Sequence, residues 1–395
     1  MISKILLRRE QFPVTDRLVY LNHAAVGPLS HAACSAMERH AREQRDFGAL
    51  HWRDWIGEYV EFREEAAALL GADPSEVSIL KNTSEGLSFV ANGVRWKEGE
   101  NAVTTDIEFP SNSVPWRRLA QRGVECRLVK SRDGMFSVGD VEALIDEKTR
   151  VVSVSSVYFH NGFSPDLAAL GDLCRAKGVL FCVDAIQSLG AIPMDVRAAK
   201  IDFLAADGHK WLLGPEGAAI FYCAAGSRER LDVLESGWLN VQRGDEMIGV
   251  STELRADGRR FEAGSLNTNG IYGLRASIAL LRHIGIENIE REVIWIASAL
   301  AAALETLGFE MKTPRPIASG IVSFVPPQDV DIARLRKLSD APDELADPVH
   351  LVHRWLEMND VICSPREGML RFAPHFYNDE EDIERVKDVL EVAVR

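Results

Sequence analysis

Lys210 stands in Asp207-Gly208-His209-Lys210-Trp211, directly after the apolar run Ile201–Ala206. Asp184 ends another apolar run, Phe181-Cys182-Val183-Asp184, 26 residues earlier. A lysine amine can form an imine with a carbonyl compound, and a buried acid can keep a heteroaromatic nitrogen protonated, so that the ring draws electrons. An acid closing one buried strand and a lysine closing the next are what is needed to hold pyridoxal phosphate. Taken singly, Asp184 also reads as the cap of a turn and Lys210 as a surface lysine. The second reading fits poorly with Gly208, Trp211 and Gly214-Pro215 around the lysine. They predict a tight, dry setting that lowers the lysine pKa and favours the neutral, reactive amine.

Other residues extend the pair. Gln187 follows Asp184 by three positions and could reach a ring hydroxyl. Asn82-Thr83-Ser84-Glu85-Gly86 lies between a predicted strand and a predicted helix. Free N–H groups and the helix dipole favour an anion there, and two hydroxyls can add bonds; a plain helix cap is the other reading. His209 either donates to the same anion or caps a turn. The six cysteines, at 34, 126, 174, 182, 223 and 363, form no CxxC pair and no zinc-spaced cluster with histidine. We expect no metal and no disulfide framework.

These residues need rigid elements to place them. Glu76–Lys81, Asn101–Thr105, Arg150–Val157, Val179–Asp184, Ile201–Ala206 and Ala218–Tyr222 read as strands. Helical patterns at Glu85–Val94, Ser113–Arg122 and Asp166–Lys177 separate several of them. The alternation predicts an α/β fold with a large, doubly wound, mostly parallel sheet. Ligands in such sheets sit at the carboxyl ends of the strands, where Asp184, Lys210 and the Asn82–Ser84 turn fall. After residue 270 the pattern changes to long helices, Ile271–Ile284 and Glu287–Leu307, with strands at Gly320–Val325 and Met369–Ala373. We therefore divide the chain into an arm (1–18), a large cofactor-binding domain (19–270) and a smaller C-terminal α+β domain (271–395). A net charge of −14 argues against nucleic acid as a partner. The longest apolar stretch, Val293–Leu304, is twelve residues, too short to cross a membrane. Met1–Gln11 lacks a long apolar core, so the expected location is cytoplasmic.

Seven motifs resemble, in order, those of class V aminotransferase-like enzymes. They are Tyr20–Ala25, Asn82–Gly86, Glu108–Trp116, Val183–Gln187, Gly208–Lys210, Phe261–Thr268 and Arg371–Asn378. The nearest branch contains cysteine desulfurases, selenocysteine lyases and isopenicillin N epimerase. The resemblance implies fold type I, pyridoxal 5'-phosphate and a homodimer with shared active sites. It assigns Lys210 as the imine-forming lysine and Asp184 as the partner of the ring nitrogen. Gln187 would contact the ring oxygen, Phe109 would stack on the ring, and Thr83, Ser84 and His209 would hold the phosphate. Ser265 would reach the phosphate of the other subunit. Arg371 would clamp the substrate carboxylate, with Asn22 and His23 also on the substrate side.

Two departures shape the functional expectation. No cysteine lies between Arg366 and Arg371, and the segment is short. Cys363 lies on the wrong side of Arg366, so sulfur transfer through a persulfide is disfavoured. Asp207 stands where the desulfurase branch often has serine, so its charge must be paired or turned away. The expected enzyme takes an amino acid, with Lys210 as the base that removes the Cα proton. β-Elimination by a C–S lyase leads, transamination follows, and epimerisation is third. A non-catalytic binding module on the same fold is the rival from another class.

Overall fold

The computed structural model describes residues 4–244, 251–342 and 344–394. Its centre is a seven-stranded sheet. The strands lie in the order Val77–Leu80, Ala219–Cys223, Phe203–Asp207, Leu180–Asp184, Thr149–Ser155, Asn101–Thr105 and Glu125–Val129. Ala219–Cys223 runs antiparallel to both of its neighbours, and the other pairings are parallel. Leu180–Asp184 and Phe203–Asp207 are buried at every position, as strands covered on both faces must be. Apolar cores fill both sides of the sheet. The mostly parallel α/β sheet expected from the sequence is present.

Most predicted elements are found within a few residues. Asp166 caps the Leu167–Lys177 helix by accepting from Ala169 N–H, and Gly178 closes it in a left-handed conformation. The edge strand Glu125–Val129 was not expected. Its mixed exposed and half-buried pattern carries little apolar signal. The strand predicted at Ile201–Ala206 is shifted to Phe203–Asp207. Asp207 joins it by pairing with Ala219, and its N–H donates to the Thr83 hydroxyl at 2.9 Å, which ties the strand end to the helix opposite.

A four-stranded antiparallel sheet lies in the C-terminal part, in the order Ser364–Arg366, Met369–Phe372, Val322–Val325, Glu310–Met311. It has its own apolar core, built with Leu300, Leu304, Leu356 and Leu390. The Thr268–Ile284 helix packs in the other core through Ile271, Leu274, Ile278 and Leu281. The Ile286–Thr306 helix bridges the two cores, Ile289 and Val293 entering one and Ile296 and Leu300 the other. The Lys4–Gln11 helix is held to the C-terminal segment where Arg8 pairs with Asp379 and Asp382. The first three residues of the 1–18 arm lie outside the described residues. No helix among the described residues is long and apolar enough to cross a membrane.

Candidate active site

The carboxyl ends of the parallel strands open onto a cavity of about 440 Å³. Thr83, Ser84, Phe109, Asp184, Gln187, His209, Lys210 and Arg371 all line it, although they come from segments up to 288 residues apart in the chain (371 − 83). The sheet supplies the order. Asp184 ends one strand, Asp207 ends the next, and Lys210 follows three residues later.

The Gly208–Gly214 loop holds Lys210. Gly214 N–H donates to Gly208 O at 2.9 Å, and Leu213 N–H donates to Lys210 O at 3.1 Å. Leu213 adopts φ 54°, a left-handed conformation unusual for leucine, and Ser277 Oγ donates to its carbonyl at 2.8 Å. Gly27 donates to His209 O at 2.7 Å, and a Cβ there would meet Lys210 O at 2.3 Å. Only glycine admits that approach. Lys210 is 8 % exposed, and burial pulls its ammonium down to about 8 against the opposing pull of Asp184. Its Nζ lies 5.5 Å from the centroid of the Phe109 ring.

Burial likewise raises Asp184, to about 6, while the N–H of Ile186 at 3.0 Å and the charge of Lys210 restrain it. A buried acid of this kind gains from a cationic partner. Thr83 and Ser84 open the Thr83–Gly93 helix, whose N-cap Asn82 accepts from Glu85 N–H. Gly86 lets this helix close on the sheet, since a Cβ there would lie 2.8 Å from Ala205 Cβ. Asp207 Oδ2 lies 3.1 Å from His209 Nδ1 without the alignment of a hydrogen bond, and its Oδ1 has no partner.

Arg371 is 1 % exposed. It donates to Phe159 O at 2.7 Å and to Ser364 Oγ at 3.2 Å, and its Nε has no partner. Among the described residues no carboxylate pairs with it. Burial, with Arg366 nearby, lowers its proton affinity, yet a guanidinium keeps its charge at neutral pH. An uncompensated buried cation is costly and calls for an anionic ligand.

Three candidates lie elsewhere. His23 is fully buried and does not line the cavity. Its Nδ1 faces Ala373 O at 2.7 Å and its Nε2 faces Tyr377 Oη at 2.6 Å. The expected substrate contact through His23 is thus corrected to a brace between the N-terminal and C-terminal segments. Asn22 bridges to Ala373 through its backbone and also stands outside the lining. Ser265 is on a separate, smaller cavity with Lys81, Glu85 and Glu262.

Some cavity features were not read from the sequence. Arg366 and Ser111 line it, and Ser111 accepts from Ser84 Oγ at 2.8 Å. Glu108 is buried beside it, bound by Ser155 N–H at 2.9 Å, the Ser155 hydroxyl at 2.5 Å and Tyr158 Oη at 2.7 Å. Burial pushes Glu108 up to about 7, with the Asp184 charge adding to the rise. Its place just before Phe109 was the only available signal. Trp116 is buried in the core, and Trp52 and Trp238 are exposed away from the cavity.

The profile of the class-V aminotransferases matches residues 19–386. The chain belongs to the class-V aminotransferase family. A probable cysteine desulfurase of Methanothermobacter thermautotrophicus is 32 % identical, with 97 % of this chain and 96 % of that protein covered. Another, from Pyrococcus abyssi, is 30 % identical over 98 % and 97 %. The solved apo cysteine desulfurase of Thermococcus onnurineus superposes with a TM-score of 0.87 at 26 % identity, covering 100 % of this chain and 98 % of that one. A cystine C–S lyase in complex with cysteine persulfide gives 0.87 at 22 % identity, covering 96 % and 99 %, which shows a shared fold.

This class-V protein is therefore a pyridoxal-phosphate-dependent enzyme of fold type I. The cavity fits the cofactor. It offers a helix N-terminus with hydroxyls for a phosphate, a buried acid for a ring nitrogen, an aromatic face and a desolvated lysine. The names of the relatives point to cysteine desulfuration, which the sequence disfavoured. Cys363 is 3 % exposed in the C-terminal core, and burial pushes its thiol well up. Among the described residues no cysteine lines the cavity.

Proposed function

We propose that this enzyme is a C–S lyase that releases sulfur from a cysteine-type amino acid by β-elimination. Bound at Lys210, the cofactor would supply an electron sink for the electrons of the Cα–H bond. In this reading the Arg371 guanidinium takes the α-carboxylate and fixes which face of Cα meets Lys210. Lys210 Nζ, freed when the substrate amine replaces it, takes the Cα proton. Asp184 would keep the ring nitrogen protonated, Gln187 would contact the ring oxygen, and Phe109 would stack on the ring. Thr83, Ser84 and His209 would hold the phosphate. Loss of the β-sulfur followed by hydrolysis yields pyruvate and ammonia.

The observation that carries this reading is a cavity that holds a desolvated lysine and an arginine with, among the described residues, no carboxylate partner and no thiol in the lining. The second reading is a desulfurase working through a protein persulfide, favoured by the names of the relatives. Incubation with L-cysteine and L-cystine separates them. The lyase is expected to give pyruvate and ammonia without an added keto acid, at a rate that Cys363→Ser leaves unchanged. Alanine as product, with persulfide on the protein and loss of both in Cys363→Ser, would establish the second reading instead. Strict dependence on a keto acid would replace both by transamination.

We also propose that the enzyme is a homodimer in which Ser265 reaches the phosphate site of the other copy. Ser265 is exposed and separate from the cavity of its own chain. Light scattering is expected to give twice the chain mass, and a monomer with full activity would overturn the arrangement.

A further inference from the structure

Gln187 is gripped at both ends of its amide. The Trp211 indole N–H donates to Oε1 at 2.9 Å, and Nε2 donates to Ala24 O at 3.0 Å. An indole N–H only donates and a peptide carbonyl only accepts, so these partners fix which end of the amide is oxygen. With Oε1 taken by the indole and one Nε2 hydrogen by Ala24 O, Gln187 keeps a second Nε2 hydrogen to donate. The indole has little freedom to leave. Trp211 is 1 % exposed, and a Cβ at Gly320 would come within 2.4 Å of its ring. His375 Nε2 lies 3.0 Å from the Trp211 carbonyl. Trp211 does not itself line the cavity.

We infer that Trp211 is a positioning residue that locks Gln187 as a hydrogen-bond donor toward the cofactor's ring oxygen, so that this oxygen is held as an anion. The inference rests on the proposed placement of Gln187 opposite that oxygen. A fixed donor stabilises the full negative charge on the oxygen more than the form in which the oxygen shares a proton with the Lys210 nitrogen. That shared proton is then lost at lower pH. Asp184, Asp207, His209 and Lys210 face the cavity from the large sheet, and Arg366 and Arg371 face it from the small one. His23 and His375 pack against the indole. Glu108 is buried within electrostatic reach of Asp184. The substitutions below change none of these groups.

The test is a pH titration of the visible absorption of the holoenzyme. Trp211→Phe is expected to move the midpoint up by about half a unit to one unit, the size of one hydrogen bond. Gln187→Glu cannot donate and is expected to move it up as well. The double variant should move no further than Gln187→Glu alone, because Trp211 acts through Gln187. If Gln187→Glu shifts the midpoint and Trp211→Phe does not, the positioning role is overturned while the Gln187 placement stands. An unshifted Gln187→Glu would overturn both. Trp211→Tyr serves if the phenylalanine variant does not fold, with the same upward shift expected and no shift counting against the role.

Discussion

Lys210→Ala is expected to lower turnover by roughly a thousandfold or more, since it removes the group proposed both to anchor the cofactor and to move the Cα proton. The same substitution should abolish the visible absorption that arises when cofactor joins the lysine, while leaving the proposed phosphate contacts of Thr83, Ser84 and His209 in place. Lys210→Arg separates the two effects of charge and reactivity, because a guanidinium keeps the charge but forms no imine at neutral pH. Full turnover and unchanged absorption in Lys210→Ala would remove the lysine from the mechanism. A purified protein that shows no visible band after addition of pyridoxal phosphate would favour a non-catalytic binding module.

The setting of Lys210 adds a dependence on pH. Burial lowers its ammonium to about 8, and the neutral amine is the form that attacks a carbonyl. The sign follows: the reactive fraction grows as pH rises. The rate at which apoprotein takes up cofactor should therefore climb through about pH 8, not through the range of an exposed lysine. A rate still rising steeply above pH 10 would show that the amine is solvated. Stopped-flow absorption against pH measures this directly.

Arg371→Ala is the second large effect. The buried guanidinium is held by Phe159 O and Ser364 Oγ and has no carboxylate partner among the described residues. A charge-assisted hydrogen bond contributes about 1.5–3 kcal/mol, and each 1.4 kcal/mol is a factor of ten. KM for the amino acid should therefore rise roughly tenfold to a hundredfold. Arg371→Lys keeps a charge but not the planar fork, and should fall between the two. Cofactor binding should persist in both variants, because Arg371 lies on the small antiparallel sheet, apart from the proposed phosphate contacts. An unchanged KM with intact cofactor absorption would place the substrate carboxylate elsewhere.

Several elements were legible because their signals are local. Leu180–Asp184 and Phe203–Asp207 are short apolar runs ending in an acid, which only a sheet covered on both faces can bury. The caps Asn82 and Asp166 sit where short polar side chains can accept from free N–H groups. The edge strand Glu125–Val129 was missed because an edge needs little apolar surface. His23 was misread for another reason. The resemblance of Tyr20–Ala25 put it on the substrate side, but Ala373 and Tyr377, some 350 residues away, take both ring nitrogens.

The amino-acid sequence determined the chemistry of the first step. Asp184, Lys210 and the alternation that brings both to one sheet edge identify a cofactor and a reactive amine, because the periodicity of apolar residues is a property of short segments. Tertiary structure alone decided what surrounds that pair. It left Arg371 without a carboxylate among the described residues, withdrew Cys363 into the C-terminal core, set Asp207 beside His209 and turned the amide of Gln187 by means of Trp211. Burial and side-chain partnership depend on which distant segments pack together, and that information is spread over the whole chain.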